Sequence, residues 1–266
     1  MGNVSLYLEM IRIRFLMMLA YRTNYYSGIL IYSINIGAYY FLWQAIYGAQ
    51  DNIAGMSVSQ MTTYVAVAWM ARAFYFNNID REIANEIQEG KVAIEMIRPY
   101  HYLGVKTMQG LGEGLFRLLF FSVPGMVIIW LAFPIDFSNS LNVWILFFVS
   151  IIFAFIVNTQ LNLLTGILTF FLLYNTGLIR GKRVIIDLFS GLLLPISFYP
   201  LWAQDIMGFL PFQAISYIPS MIFTEGFVGA EVYSALGIQL FWSLFLIIPI
   251  QLLWMVARKQ LIVQGG

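Results

Sequence analysis

Apolar residues along this chain come in long runs, separated by shorter stretches that hold most of the charge. A helix needs about 20 mostly apolar residues to cross roughly 30 Å of hydrocarbon. Six runs approach or exceed that length: Ser27 to Tyr47, Thr62 to Phe76, Leu115 to Phe133, Val143 to Leu173, Val184 to Leu201 and Ala235 to Val256. With their flanks, the spans are placed at residues 27–47, 57–76, 111–133, 141–174, 184–201 and 234–257. The fourth run exceeds one perpendicular crossing and is too short for two with a turn, which describes a tilted or protruding helix. The second run is short, but Ser57 and Gln60 have capping-box spacing and place the helix start earlier. The expected fold is an all-α polytopic membrane protein, with six transmembrane helices in one domain over residues 1–266.

Two segments fall outside this rule. Ser5, Glu9 and Arg12 recur at helical spacing while Leu8, Ile11, Phe15 and Met18 share another side, so the pattern predicts an N-terminal interfacial helix lying along the membrane. An irregular lead-in to the first span is the alternative. The apolar stretch Phe15 to Tyr21 is too short for a signal peptide and is bracketed by Arg12, Arg14 and Arg22. Ile206 to Thr224 is apolar for long enough to cross, but Pro211 and Pro219 would each remove a helical hydrogen bond in lipid. A pair of re-entrant helices between spans five and six, dipping back from the outer face, is expected instead, and Pro195 and Pro200 extend the same proline-rich region.

Composition agrees with a membrane assignment. Hydrophobic residues make up 61% of the chain and charged residues 10%, with a mean hydropathy of +0.79, too little charge to cover a water-facing surface. A net charge of +1 gives no reason to expect nucleic acid as a partner. The absence of Cys and the single His101 disfavour disulfide, thiolate and His-based metal chemistry. The placement of charge carries more information. Arg12, Arg14 and Arg22 precede the first span; Arg81, Lys91, Arg98 and Lys106 follow the second; Arg180, Lys182 and Arg183 follow the fourth; Arg258 and Lys259 follow the sixth. Arg72 and Arg117 fall toward the same side. The opposite loops hold Asp51, Asp136, Asp205, Glu225 and Glu231 without a basic residue. Basic residues stay on the cytoplasmic side, so both termini are expected there.

The longest polar stretch, Asn77 to Gln109, holds the best functional candidates. Ile79, Ile83, Ile87, Ile94 and Ile97 lie close to one helical face, Glu82, Glu86 and Glu89 on another, with Gly90 interrupting and Pro99 ending the element. Such a helix suits docking to a partner protein; a solvated linker resting on the membrane is the alternative. Polar groups inside spans are pathway candidates by default: Asn158, Thr159, Gln160, Asn162 and Thr165 in span four, with Asn35, Gln44 and Tyr64. Helix-to-helix hydrogen bonding is the competing reading. Gly110 and Gly114 permit close helix contact, and Glu113 and Arg117 are spaced for an ion pair. Thr176 to Arg183 lacks the first Gly and the final Ser/Thr of a phosphate-binding P-loop and reads as a basic cytoplasmic turn. His101 is given no role. Trp43, Tyr47, Trp144, Tyr25 and Trp254 fit interfacial aromatic belts.

The string Arg81-Glu82-Ile83-Ala84-Asn85-Glu86-Ile87-Gln88-Glu89-Gly90-Lys91, followed by Arg98-Pro99, resembles the first cytoplasmic loop of ABC-2 type transporter permeases. Ser190-Gly191, Pro195, Tyr199-Pro200, Leu210-Pro211-Phe212 and Pro219 resemble the region before their last span. The nearest branch is that of the daunorubicin-like and viologen-like drug exporters. The resemblance implies a permease in the cell membrane that pairs with a second permease copy or a related one. It also implies two cytoplasmic ATPase subunits that carry ATP and Mg, with no cofactor on this chain. Arg81, Glu82, Ile83, Glu86, Ile87, Glu89, Gly90, Lys91 and Arg98 then form the cytoplasmic coupling helix between spans two and three, with Ile83 and Ile87 anchored in an ATPase groove. The implied cargo is an amphipathic drug-like or lipid-like molecule; a polysaccharide or lipid-linked glycan is the alternative. An ion-coupled secondary transporter would show midplane ionisable groups and an internal repeat, and an intramembrane enzyme a reactive constellation; neither pattern is visible.

The natural absence of Cys makes the topology directly testable. Single cysteines replacing Asp51, Asp136 and Glu225 are expected to react with an impermeant maleimide in intact cells, and those replacing Lys91 and Lys182 only after permeabilisation. External labelling at position 182 refutes six spans.

Overall fold

Helices dominate the chain, joined by one short hairpin, in a computed structural model that describes residues 2–20, 23–172 and 174–264. Arg22 and Leu173, which enter the orientation and span readings above, lie outside the described residues, as does the Tyr25 side chain. The order is α1 (Gly2–Ala20), α2 (Thr23–Tyr47), the hairpin β1 (Asn52–Ile53) and β2 (Met56–Ser57), then α3 (Val58–Tyr75), α4 (Ile79–Gln88), α5 (Lys91–Ile97) and α6 (Tyr102–Arg117). A π-helical turn (Leu118–Ser122) leads into α7 (Val123–Ala132), followed by α8 (Leu141–Ile167) and α9 (Thr176–Phe189). The last helices are α10 (Leu201–Gly208), α11 (Tyr217–Phe223), α12 (Ala230–Phe245) and α13 (Ile247–Gln264).

Among the described residues, four helical stretches are long and apolar enough to cross a bilayer: Ser27–Tyr47, Tyr102–Ala132, Leu141–Phe170 and Ala230–Gln260. The other two expected spans differ for separate physical reasons. Helix α3 forms where expected, with both halves of the Ser57–Gln60 capping box made at 3.2 and 3.0 Å. Most of its surface is covered by protein, and Thr62, Thr63 and Tyr64 are buried along it. A helix enclosed by other helices has no need of a wholly apolar surface.

The expected fifth span, Val184 to Leu201, is not one helix. Helix α9 stops at Ser190, where Gly191 takes φ +79° and the chain turns away. A side chain at Gly191 would meet the Tyr217 Cβ at 2.8 Å and the Tyr64 hydroxyl at 2.9 Å, so glycine is required sterically as well as conformationally. The Tyr64 hydroxyl donates to the Gly191 carbonyl at 2.5 Å, and the Tyr217 amide to that of Ser190 at 2.8 Å. Beyond this turn, 196–223 forms only short helices, with Pro211 opening a 3₁₀ turn and Pro219 in the first turn of α11.

Prolines also mark the irregularities of the long stretches. The π-helical turn precedes Pro124, and the break between α12 and α13 at Leu246 precedes Pro249. Helix α8 runs through the centre, touching α3, α4, α11, α12 and α13. Large apolar side chains on α2, α7, α12 and α13, such as Leu30, Ile34, Leu131, Phe241 and Ile248, point outward. A bilayer would cover them.

Helix α6 achieves close packing through a stripe of glycines. A Cβ on Gly112 would lie 2.3 Å from the Ile11 carbonyl oxygen of α1, and one on Gly114 2.5 Å from the Phe74 carbonyl of α3. The Gly110-x-x-x-Gly114 spacing therefore serves contacts within this chain, Gly110 itself lying against Ile79. Gly112→Ala is expected to push α1 away and lower stability by about 1–3 kcal/mol, measured by thermal melting in detergent. Gly177, with open space around it, is the control; equal melting of Gly112→Ala and Gly177→Ala would refute the contact.

Candidate functional site

The alternation of Ile with Glu on α4 has an internal explanation. Ile83 is 0% exposed and packs with Ile79, Leu163 and Ile167. Gly166 makes room, since a Cβ there would come within 3.0 Å of the Ile83 Cβ. The expectation that Ile83 anchors in an ATPase groove is corrected: its stripe is already buried against α8. Ile87 is half-buried beside the same cluster. The acidic face is similarly engaged. Glu82 pairs with Arg14 of α1, while Glu86 pairs with Lys106 and accepts from the Tyr102 hydroxyl at 2.6 Å. Glu89 alone of the three glutamates is exposed, beside Lys91 at 2.5 Å.

Gly90 separates what the sequence pattern read as one helix. Its φ of +73° is the left-handed conformation, with nothing within 4 Å of a Cβ position, so its requirement for glycine is conformational. Past it, α5 turns its isoleucines outward, Ile94 at 61% and Ile97 at 85% exposure. Arg98 bonds Glu95 at 3.2 Å and the Tyr100 hydroxyl at 3.1 Å. Burial, with help from Glu95, pushes the Tyr100 phenol above its ordinary value. Arg81 is exposed on α4.

The polar residues of α8 form a seam between helices. The Asn158 amide donates to the Tyr75 carbonyl at 2.8 Å and Gln160 to that of Ser243 at 2.6 Å. Asn162 donates to the backbone and side-chain oxygens of Asn77 at 3.1 and 2.8 Å, and the Thr165 hydroxyl to Leu161 within α8 at 2.8 Å. The Asn158 and Gln160 bonds thus run to neighbouring helices, one of the two readings open from sequence, while that of Thr165 stays within α8. Gln44 is exposed and bonds Tyr40 at 3.2 Å. Asn35 is half-buried, and both sit on α2, which packs mainly on α3 and α7 rather than on α8.

The sequence reading missed a cluster of charge beside this seam. Lys182 bonds Asp80 at 2.5 Å and also Asn162. Arg72 chelates Asp187, its second bond at 3.1 Å, and Arg183 donates to Asn78 at 3.0 Å. The Phe76 ring has guanidinium groups of Arg72, Arg117 and Arg183 at 5.2, 5.8 and 4.9 Å. Thr176 to Arg183 is thus not a basic turn: it is the first half of α9, and Lys182 points inward, which makes exposed Arg180 the better topology reporter. Arg183 and Asp187, four residues apart on one face, were the available signal; Arg72 and Asp80 are more than 100 positions away from their partners. A related web joins α1 to α6 through Arg14 and Glu113 at 2.7 Å, with Arg117 on the other carboxylate oxygen, as its spacing predicted.

Several aromatic expectations are also corrected. Trp43 and Tyr47 are buried, and Trp254 stacks on Tyr102 with centroids 5.4 Å apart, so these rings are core rather than interfacial belt. His101 caps α6, its Nδ1 accepting from the Gly104 amide at 3.2 Å.

A family model described as ABC-2 family transporter protein matches residues 33–265, from within α2 to the end of α13. The chain belongs to the ABC-2 transporter family. No curated protein sequence matches it. Members of the family are membrane components of transport rather than catalytic subunits. The buried charges Asp80, Lys106 and Glu113 of this ABC-2 chain all lie inside the matched region.

Asn162→Leu would leave Asn77 and Lys182 short of a partner in this ABC-2 chain and is expected to lower stability by about 1–3 kcal/mol. Thermal melting in detergent measures it; wild-type stability with altered transport would mark Asn162 as a cargo contact instead.

Proposed function

We propose that this ABC-2 chain is the permease subunit of an ATP-driven exporter, engaging its ATPase through α5 rather than through the inner face of α4. The observation that carries this reading is the pair Ile94 and Ile97, held outward on α5 just beyond the helix clamped to α8. Arg81, Glu89, Gly90, Lys91 and Arg98 surround that apolar tip. Glu82, Ile83, Glu86 and Ile87 would transmit its displacement to α8, α1 and α6, since each is already bonded or packed there. ATP and Mg belong to two cytoplasmic ATPase subunits, and a second permease copy or relative completes the complex.

In this reading the chain crosses the cell membrane six times with both termini cytoplasmic. Helix α3 supplies the second crossing, α9 and the turn after it the fifth, and the short helices of 196–223 re-enter from the outer face. Placement of charge supports it: Asp136 bonds Ser59 and the Thr63 hydroxyl near the start of α3, at the end opposite Arg72 and α4. The cargo is an amphipathic drug-like or lipid-like molecule, as in the daunorubicin-like branch, and its route opens where the seam of Tyr64, Asn158, Gln160, Asn162 and Thr165 parts.

Substitution of both Ile94 and Ile97 by Asp is expected to abolish co-purification with the ATPase, a loss of about 2 kcal/mol or more, with melting of the isolated permease unchanged. Ile83→Asp is expected to destabilise the permease itself. Normal assembly and transport by the Ile94→Asp, Ile97→Asp protein would overturn the docking surface.

A further inference from the structure

Five ionisable side chains on three helices meet at one recess, and their charges do not balance. Arg72 of α3, Asp80 of α4 and Lys182, Arg183 and Asp187 of α9 all line it, together with Asn77, Asn158 and Asn162. Two of the cations have carboxylate partners, Arg72 with Asp187 and Lys182 with Asp80. Arg183 has none: among the described residues its contacts are the Asn78 oxygen at 3.0 Å and the Phe76 ring at 4.9 Å. Its nearest carboxylates, Asp187 and Asp80, are taken up by Arg72 and Lys182, and a guanidinium drawn partly out of water with only neutral groups in direct contact keeps part of its desolvation cost.

We propose that this recess binds an anionic oxygen group, phosphate or carboxylate, with Arg183 as the main ligand and Arg72 and Lys182 contributing positive charge. The planar fork of a guanidinium matches two oxygens of such a group. The recess offers about 20 Å³, room for one water-sized group, so an oxygen reaches in while the rest of the molecule stays outside. That geometry suits either the headgroup of an anionic lipid or a free anion. Nothing in it involves α5, so the site stands or falls independently of ATPase docking.

The test uses the purified permease alone in an uncharged detergent and in nanodiscs. If the anion is free, saturating inorganic phosphate, against chloride of equal ionic strength, raises the melting temperature of the wild type by about 5 °C. Arg183→Gln then loses the response, whereas Arg180→Gln, on the exposed side of α9, keeps it. If the source is lipid, phosphate does nothing, but native mass spectrometry finds phosphatidylglycerol retained over phosphatidylcholine by the wild type and not by Arg183→Gln. A wild type that shows neither effect overturns the site, as does a folded Arg183→Gln protein that responds like the wild type. Should Arg183→Gln fail to fold, Arg183→Lys decides: it keeps the charge but not the planar fork, so a weakened response supports the site and a response equal to that of the wild type overturns it.

Discussion

The contact of α4 with α8 is the constraint from which most of the inner half of this molecule follows. Gly166 lets Ile83 seat against α8, and once it is seated Asp80 faces Lys182 while Glu82 and Glu86 face Arg14 and Lys106. Apolar packing fixes the distance, and the ion pairs fix rotation and register. Neither suffices by itself. An apolar stripe alone could slide by one turn, and buried charges alone would be a net cost.

This arrangement ties four segments of distant sequence into one body. Helix α1 joins through Arg14, α6 through Glu113 and Lys106, α9 through Lys182 and Asp187, and α3 through Arg72. Because the same carboxylate on Glu113 serves both Arg14 and Arg117, a shift of α1 would be felt at Phe76, whose carbonyl accepts from Arg117 at 3.0 Å. Such shared ligands make small displacements cooperative, a useful property where an energy-coupling subunit pushes from one side.

Legibility in the sequence tracked the range of the interactions. The capping box at Ser57 and the Glu113–Arg117 pair involve residues three or four apart, and both form as their spacing required. The prolines at 211 and 219 correctly broke a segment whose hydropathy alone suggested a crossing. Sequence was ambiguous where a local pattern had two outlets. An apolar stripe fits a partner or the chain's own core equally well, and Ile83 went to the core while Ile97 did not. Asn158 and Asn162 could have faced a cavity or a neighbour, and the end of α3 with Asn77 just beyond it provided the neighbour. The fifth run did not stay one helix because Gly191 is silent in a hydropathy profile yet decides where the backbone turns.

Gly90 gives the loop a mechanical character. Helix α5 is seven residues long, about 10 Å of rod, and the left-handed φ of Gly90 sets the angle at which it leaves α4. Val92, fully buried, roots the rod in the same cluster that seats Ile83. The two helices therefore make a bent lever, in which a displacement of the tip at Ile97 turns α4 on its seat against α8 rather than being taken up at the bend.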